Sequence, residues 1–315
     1  MIPRYSNARI TEIWSDANKL KLWQETELAV IRARSEMGVF PAKAIIEIKK
    51  ILEQKEIDLD WWLARDKEIH HDLNAFLDER LRHLPVEQHQ YFHEKMTSYD
   101  TEEPSMSLLL IASVEVVYQE IAAMLTLLCE MVRKYRYTPM LGRTHGQEAK
   151  LQSFGKRVFT WYIRLLWSVS ELTQATKLVA YSKLSGAIGN YQGLSPEEEE
   201  AALAYMRLKP FKGATQIMPR QVHQPLANAL VMVVASLSQI AEDIRLAARS
   251  GNPILQEPFG KKQKGSSAMP HKKNTITCEN QIGMLILAKG FARMLQDCQV
   301  TWEERSIEQS GVERI

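Results

Sequence analysis

The chain has 315 residues, 45% of them apolar and 25% charged, an ordinary balance for a globular protein able to bury a sizeable core. A net charge of +2 excludes the global field that would select nucleic acid or an acidic membrane surface as partner. The cysteines, Cys129, Cys278 and Cys298, form no CxxC pair and no metal spacing, so free thiols in a reducing compartment and no metal site are expected.

The opening residues, MIPRYSNARI, lack the basic and apolar regions of a secretion signal, and no run of ~18 apolar residues is uninterrupted. These features predict a cytoplasmic protein without a membrane span. Residues 1–104 carry short helical patterns broken by polar turns and by Pro41, Pro85 and Pro104, which predicts a smaller helical N-terminal domain. Residues 105–315 are expected to form a second domain built from long helices. From Leu110 the apolar positions are Val114, Val117, Ile121, Met124, Leu128 and Met131, with steps alternating between four and three. The same seam runs from Leu151 through Phe154, Val158, Trp161, Leu165, Val169 and Leu172. It recurs from Val222 through Leu226, Leu230, Val233, Leu237, Ile240 and Ile244. A fourth apolar segment covers 276–300. Helices of this kind, roughly 40–50 Å long, predict an all-α fold, an elongated bundle whose apolar surface is shared with other subunits.

Between the second and third long helices, Ser195, Pro196 and the acidic run Glu197 to Glu199 spell the start of a short capped helix. Its glutamates read as a solvated face. No strand series is expected. The last ten residues, SIEQSGVERI, carry no helix stop or polar tail, and a truncated chain is the expectation.

Four polar segments do not fit solvated helix faces: EIHHDLNAF (68–76), FHEKMTSYD (92–100), GRTHGQ (142–147) and GKKQKGSSAMPHKKN (260–274). Each lies at a predicted helix end, where backbone and side chains converge on a ligand. On one helix His70 and His71 would point about 100° apart, a poor chelate compared with the i, i+4 spacing of metal helices. His145 fits either a helix-cap neighbour or a catalyst. The basic loop fits either a mobile solvated loop or an anion site made of lysine charge and glycine-rich backbone.

The segment GSSAMPHKKN (265–274) resembles the signature loop of the fumarase/aspartase superfamily. With the preceding EPFGKKQK (257–264) it is similar to the adenylosuccinate lyase family. RYS, HHDLNAF, TSYD, GRTHGQ, SGAIGNY (185–191), ATQIMPR (214–220), EDIRL (242–246) and WEERSIEQSGVER (302–314) resemble the same family in the same order. The resemblance implies a homotetramer with active sites shared between subunits. It implies a purine nucleotide substrate, no cofactor, and no nucleic-acid or membrane partner. The implied reaction is β-elimination across a C–N bond. It would convert adenylosuccinate to AMP and fumarate and act also at the succinyl-carboxamide step of purine biosynthesis.

By that resemblance Ser266 is the base, with Ser267 as the competing candidate, and His145 is the acid, an imidazole suited to proton transfer near neutral pH. His71 supports the acid and positions substrate, with Asp72 beside it. Thr97, Ser98, Lys272, Asn274 and Asn280 are implied ligands of the succinyl end, and Gln216 is an implied carboxylate or base-side ligand. Arg4, Tyr5, Arg305, Ser310 and Arg314 are implied to hold the phosphate, for which arginine forks are suited. His93 aligns with a family histidine of unassigned role. Gly265 is expected to permit a backbone conformation that exposes N–H donors. The sequence departs from the family pattern at TEEPSMS (101–107) and at Thr275. Two other readings fit less of the sequence: a superfamily lyase of the argininosuccinate or carboxymuconate type, and a catalytically silent helical assembly protein.

Overall fold

The computed structural model describes residues 3–269 and 271–313. In chain order the helices are α1 (Ala8–Ile13), α2 (Asp16–Glu36), α3 (Ala42–Leu52), α4 (Leu59–Ile69), α5 (Asp72–Leu81) and α6 (Ser98–Lys134). A hairpin of β1 (Pro139–Thr144) and β2 (Gln147–Ser153) leads into α7 (Phe154–Leu178). Then come β3 (Tyr181–Ser182), α8 (Pro196–Tyr205), β4 (Lys209–Pro210), α9 (Gln224–Ala247), α10 (Ile276–Asp297) and α11 (Glu308–Glu313). The all-α expectation holds, with the hairpin and the two-residue parallel pair β3–β4 as its exceptions.

The chain forms two compact units. The first comprises Met1–Val116, Thr176–Val222 and Gln299–Ile315, and the second Val117–Ala175 and His223–Cys298. In the first unit Leu20, Trp23, Ile48, Leu52, Trp62, Leu73 and Phe76 bring α2, α3, α4 and α5 onto one core. Trp23 meets Phe76 edge-on at 5.6 Å. Each such side chain contributes about 1.5–3 kcal/mol by leaving water. The other face of α2 packs Ala29, Val30 and Ala33 against Ala202 and Leu203 of α8.

Ser195 caps α8 as its sequence predicts, with Glu198 returning the bond to the cap backbone in a capping box. The acidic run is solvated only in part: Glu197 is exposed, but Glu198 and Glu199 are buried. Glu198 pairs with Arg34 at 3.0 Å, and Glu199 accepts from Leu184 N and from the Tyr191 hydroxyl, both at 2.7 Å. Both glutamates are buried because fixed partners replace their water.

Pro104 does not break the chain; it lies inside α6. Its neighbour Glu103 is buried and accepts from Arg220 Nη1 at 2.7 Å and Met218 N at 3.0 Å. The unusual TEEPSMS stretch therefore anchors the 214–220 segment to α6.

In the second unit the predicted seams are buried at Phe154, Val158, Trp161, Leu165 and Leu172 of α7 and at Leu226, Val233 and Ile240 of α9. α7 starts at Phe154, and Leu151 belongs to β2, where it is exposed. α9 and α10 pack together, and Ser168 of α7 bonds to Ser236 of α9 at 2.7 Å. By length and composition α6 and 220–247 reach the apolarity of membrane-crossing helices. Both bury part of that surface within the fold.

Candidate active site

The predicted site residues fall into two sets, one in each unit. In the first unit, His70 and His71 are not on a shared helix. His70 closes α4 in the left-handed conformation (φ 55°), and His71 is the N-cap of α5. The His71 ring Nδ1 accepts from Asn74 N at 3.3 Å. Asp72 follows as the first residue of α5, and its backbone oxygen is held by Trp62 Nε1 at 2.9 Å. Arg4 and Tyr5 stand exposed on the opening 3-10 turn. Arg314 lies outside the described residues.

Thr97 and Ser98 sit where α6 begins. Asp100 holds that start by accepting from Thr97 N at 2.9 Å. His93 has a left-handed backbone (φ 57°) and gives both its N–H and its ring Nδ1 to the buried carboxylate of Glu27, at 3.0 and 2.7 Å. Thr101 Oγ1 donates to the same carboxylate at 2.7 Å. Burial works against a charged His93 ring, but the charge of Glu27 and its hydrogen bond outweigh it and hold the imidazole above its ordinary value.

Gln216, Arg305 and Ser310 are brought together by Tyr99. The Arg305 guanidinium lies 4.2 Å from the Tyr99 ring centre and donates to Gln216 Oε1 at 3.0 Å. The Tyr99 hydroxyl bonds to Ser310 Oγ at 2.8 Å, and burial pushes its phenol up.

In the second unit His145 occupies the hairpin turn. His145 and Gly146 both have positive φ (53° and 78°), as a two-residue type I′ turn requires. Thr144 and Gln147 pair on either side, so the turn presents the exposed His145 at the hairpin tip. Beside the hairpin is a groove of about 610 Å³ lined by Arg143, Thr144, Arg157, Trp161, Asp243 and Arg249, among others. Asp243 of the EDIRL segment accepts from Arg157 at 2.8 Å and from Trp161 Nε1 at 2.5 Å.

The 260–274 loop folds back on itself. A Cβ at Gly265 would lie 1.8 Å from the Lys272 carbonyl oxygen, so only glycine allows the two arms to meet. This corrects the expected role of Gly265: it serves close approach, and its φ is not in the positive range. Asn274 Nδ2 donates to Gly265 O at 2.8 Å and closes the same contact. Between the arms the half-buried Ser266 accepts at Oγ from Ala268 N (3.3 Å) and Met269 N (3.1 Å). Ser267 is exposed, as is Lys272. Glu257 leads the chain into α10 by accepting from Cys278 N at 2.7 Å and Thr277 N at 3.3 Å. Burial raises that carboxyl, and these bonds bring it below the usual range. Asn280 follows, exposed on α10.

Sequence reasoning missed four buried residues around the first set: Glu27, Tyr99, Asp100 and Lys183. Tyr99 and Asp100 lie inside the TSYD segment itself, and Lys183 stands two residues before SGAIGNY. Among the described residues no group of three or more His, Cys, Asp or Glu side chains could hold a metal.

Residues 4–290 match the model of the lyase family. The adenylosuccinate lyase of Thermotoga maritima is 37% identical over 314 residues, covering 100% of this chain and 72% of the relative. That of Bacillus subtilis is 31% identical over 315 residues with the same coverage. The crystal structure of 3-carboxy-cis,cis-muconate lactonizing enzyme from Pseudomonas putida shares the fold, with a TM-score of 0.86 at 22% identity. It covers 98% of this chain and 70% of that one. Fumarate lyase from Mesorhizobium sp. BNC1 shares it with a TM-score of 0.85 at 19% identity over the same shares. The fold and the polar clusters at its helix ends thus define a helical lyase. The chain belongs to the adenylosuccinate lyase family, to whose members it is similar along its whole length.

Proposed function

We propose that this enzyme cleaves adenylosuccinate to AMP and fumarate, and the analogous succinyl-carboxamide ribotide, without a cofactor. A base removes the proton from the carbon beside one carboxylate. The electron pair left behind forms the C=C bond of fumarate as the C–N bond breaks, and an acid protonates the departing nitrogen. Ser266 is the base and His145 the acid. His71 and Asp72 position substrate beside the acid.

The observation that carries the assignment of Ser266 is its pair of backbone donors. A serine hydroxyl is a weak base, and hydrogen bonds from Ala268 N and Met269 N favour its negative form. The same donors, the Lys272 charge and the Asn274 amide suit a developing dicarboxylate. Thr97, Ser98, Gln216 and Asn280 complete that end of the site. Arg4, Tyr5, Arg305, Ser310 and Arg314 bind phosphate, with Arg305 already oriented by Tyr99 and Gln216. His93 is held in place by Glu27 through its backbone N–H and ring nitrogen.

Large apolar side chains stand exposed in the second unit, including Trp167 on α7 and Ile286, Leu287 and Phe291 on α10. They support assembly with further copies of the chain, which we read as a homotetramer with active sites shared between subunits. The reading puts the reaction in the cytoplasm, in keeping with the free cysteines Cys129, Cys278 and Cys298. The test follows absorbance as adenylosuccinate is converted, comparing the parent with Ser266→Ala and His145→Ala. The expected result is turnover by the parent and a fall of about 100-fold or more in each variant. Equal rates in all three would overturn the role assignments.

A further inference from the structure

We propose that the buried Asp100–Lys183 pair is a positioning device that sets the dicarboxylate end of the site. The proposal rests on the reading of Thr97, Ser98 and Gln216 as ligands of that end.

Both side chains are 0% exposed, and Lys183 Nζ lies 2.8 Å from Asp100 Oδ1. The ammonium group has three donors, and each has an acceptor. One goes to Asp100, one to Gly186 O at 2.9 Å and one to Gln216 O at 2.9 Å. The carboxylate is used just as fully. Oδ1 also accepts from Gly186 N at 3.2 Å, and Oδ2 accepts from Thr97 N at 2.9 Å. The pair therefore ties three distant segments together: the start of α6, the turn at Gly186, and the stretch carrying Gln216.

Stability alone is a poor reason for such a pair. Removing two charges from water offsets most of their attraction, and apolar residues of similar volume often hold a core as well. Apolar residues cannot supply direction, whereas each hydrogen bond here fixes one backbone group in place. The pair grips Thr97 and Gln216 by their backbones, so their side chains are aimed without being consumed. The Gln216 side chain then accepts from Arg305. The distance between the Thr97–Ser98 ligands and the Gln216–Arg305 ligands is thus set by one lysine and one aspartate that touch no substrate.

The test uses the full chain and the double variant Asp100→Asn with Lys183→Met, which removes both charges together and leaves no buried unpaired ion. Equilibrium dialysis measures fumarate and AMP separately, beside turnover of adenylosuccinate and thermal melting. Misaimed ligands should weaken fumarate about tenfold or more and AMP by clearly less, since its phosphate ligand Arg305 loses Gln216 as a guide but keeps Tyr99. The fall in kcat/KM should be about 100-fold. Unchanged fumarate affinity in the double variant would overturn the proposal. So would an equal loss of both affinities or a collapse of the melt, since the pair would then serve the fold as a whole. A parent that turns over adenylosuccinate while the double variant behaves like it sinks only this proposal. A parent without turnover sinks the functional reading instead.

Discussion

Replacing Gly265 by alanine tests the loop geometry most sharply. The new Cβ would sit 1.8 Å from the Lys272 oxygen, 2.9 Å from its carbonyl carbon and 3.2 Å from the Lys273 Cα. These are backbone atoms, so no side chain can swing away. A comfortable C···O contact needs ~3.3 Å, and the arms must separate by about 1.5 Å. The 2.8 Å bond from Asn274 Nδ2 to Gly265 O would then pass out of hydrogen-bond reach. Ser266 follows Gly265 directly and moves with it. A misplacement near 1 Å lowers catalysis by about 100-fold, equal to about 2.7 kcal/mol of lost transition-state binding. The loop residues on either side are mostly exposed, so global stability should change by only about 0.5 kcal/mol. The assay pairs adenylosuccinate turnover with thermal melting. The expected result is a large loss of kcat/KM at nearly constant Tm. An alanine variant within about threefold of the parent would refute the reasoning, because the close approach would then carry no catalytic geometry.

Other outcomes follow from the same contacts. Ser267→Ala should keep most activity where Ser266→Ala loses it, by steady-state turnover, because the backbone donors converge on Ser266 Oγ. Glu27→Gln should lower the His93 titration midpoint in a histidine NMR experiment, since the charge and hydrogen bond of Glu27 outweigh the burial of the ring. Because folding raises that value, the stabilising contribution is complete below the ordinary imidazole value of ~6.5 and is lost as pH rises through the folded one. Glu27→Gln should therefore flatten the loss of stability on the alkaline side, read from Tm against pH. Ser195→Ala should destabilise by about 1 kcal/mol in a denaturant titration, because it deletes half of a capping box.

Much of the fold was legible in apolar spacing. The seams at Val158, Trp161, Leu165 and Leu172, and at Leu226, Val233 and Ile240, are buried as their periodicity requires. Features set by tertiary partners were not legible. Glu198 and Glu199 look solvated until Arg34, Leu184 and Tyr191 arrive from other segments. Pro104 looks like a breaker, yet it sits inside α6. The hairpin at 139–153 escaped because His145-Gly146 is a less familiar type I′ pair than Asn-Gly. For the site, the short polar motifs stood out in the sequence, and the buried residues that hold them did not. Asp100 and Lys183 are separated by 83 positions, and only the fold reveals that they meet. Gly265 was recognised as special for the wrong reason, since close approach leaves no mark in a single sequence.

The central claim is the lyase activity of this chain on a succinylated purine nucleotide. Its most direct test is the absorbance change of adenylosuccinate with the parent protein, with fumarate and AMP quantified by chromatography. Fumarate and AMP should appear in equal amounts, with turnover lost in Ser266→Ala. Parent protein at full assembly that releases neither product would contradict the claim.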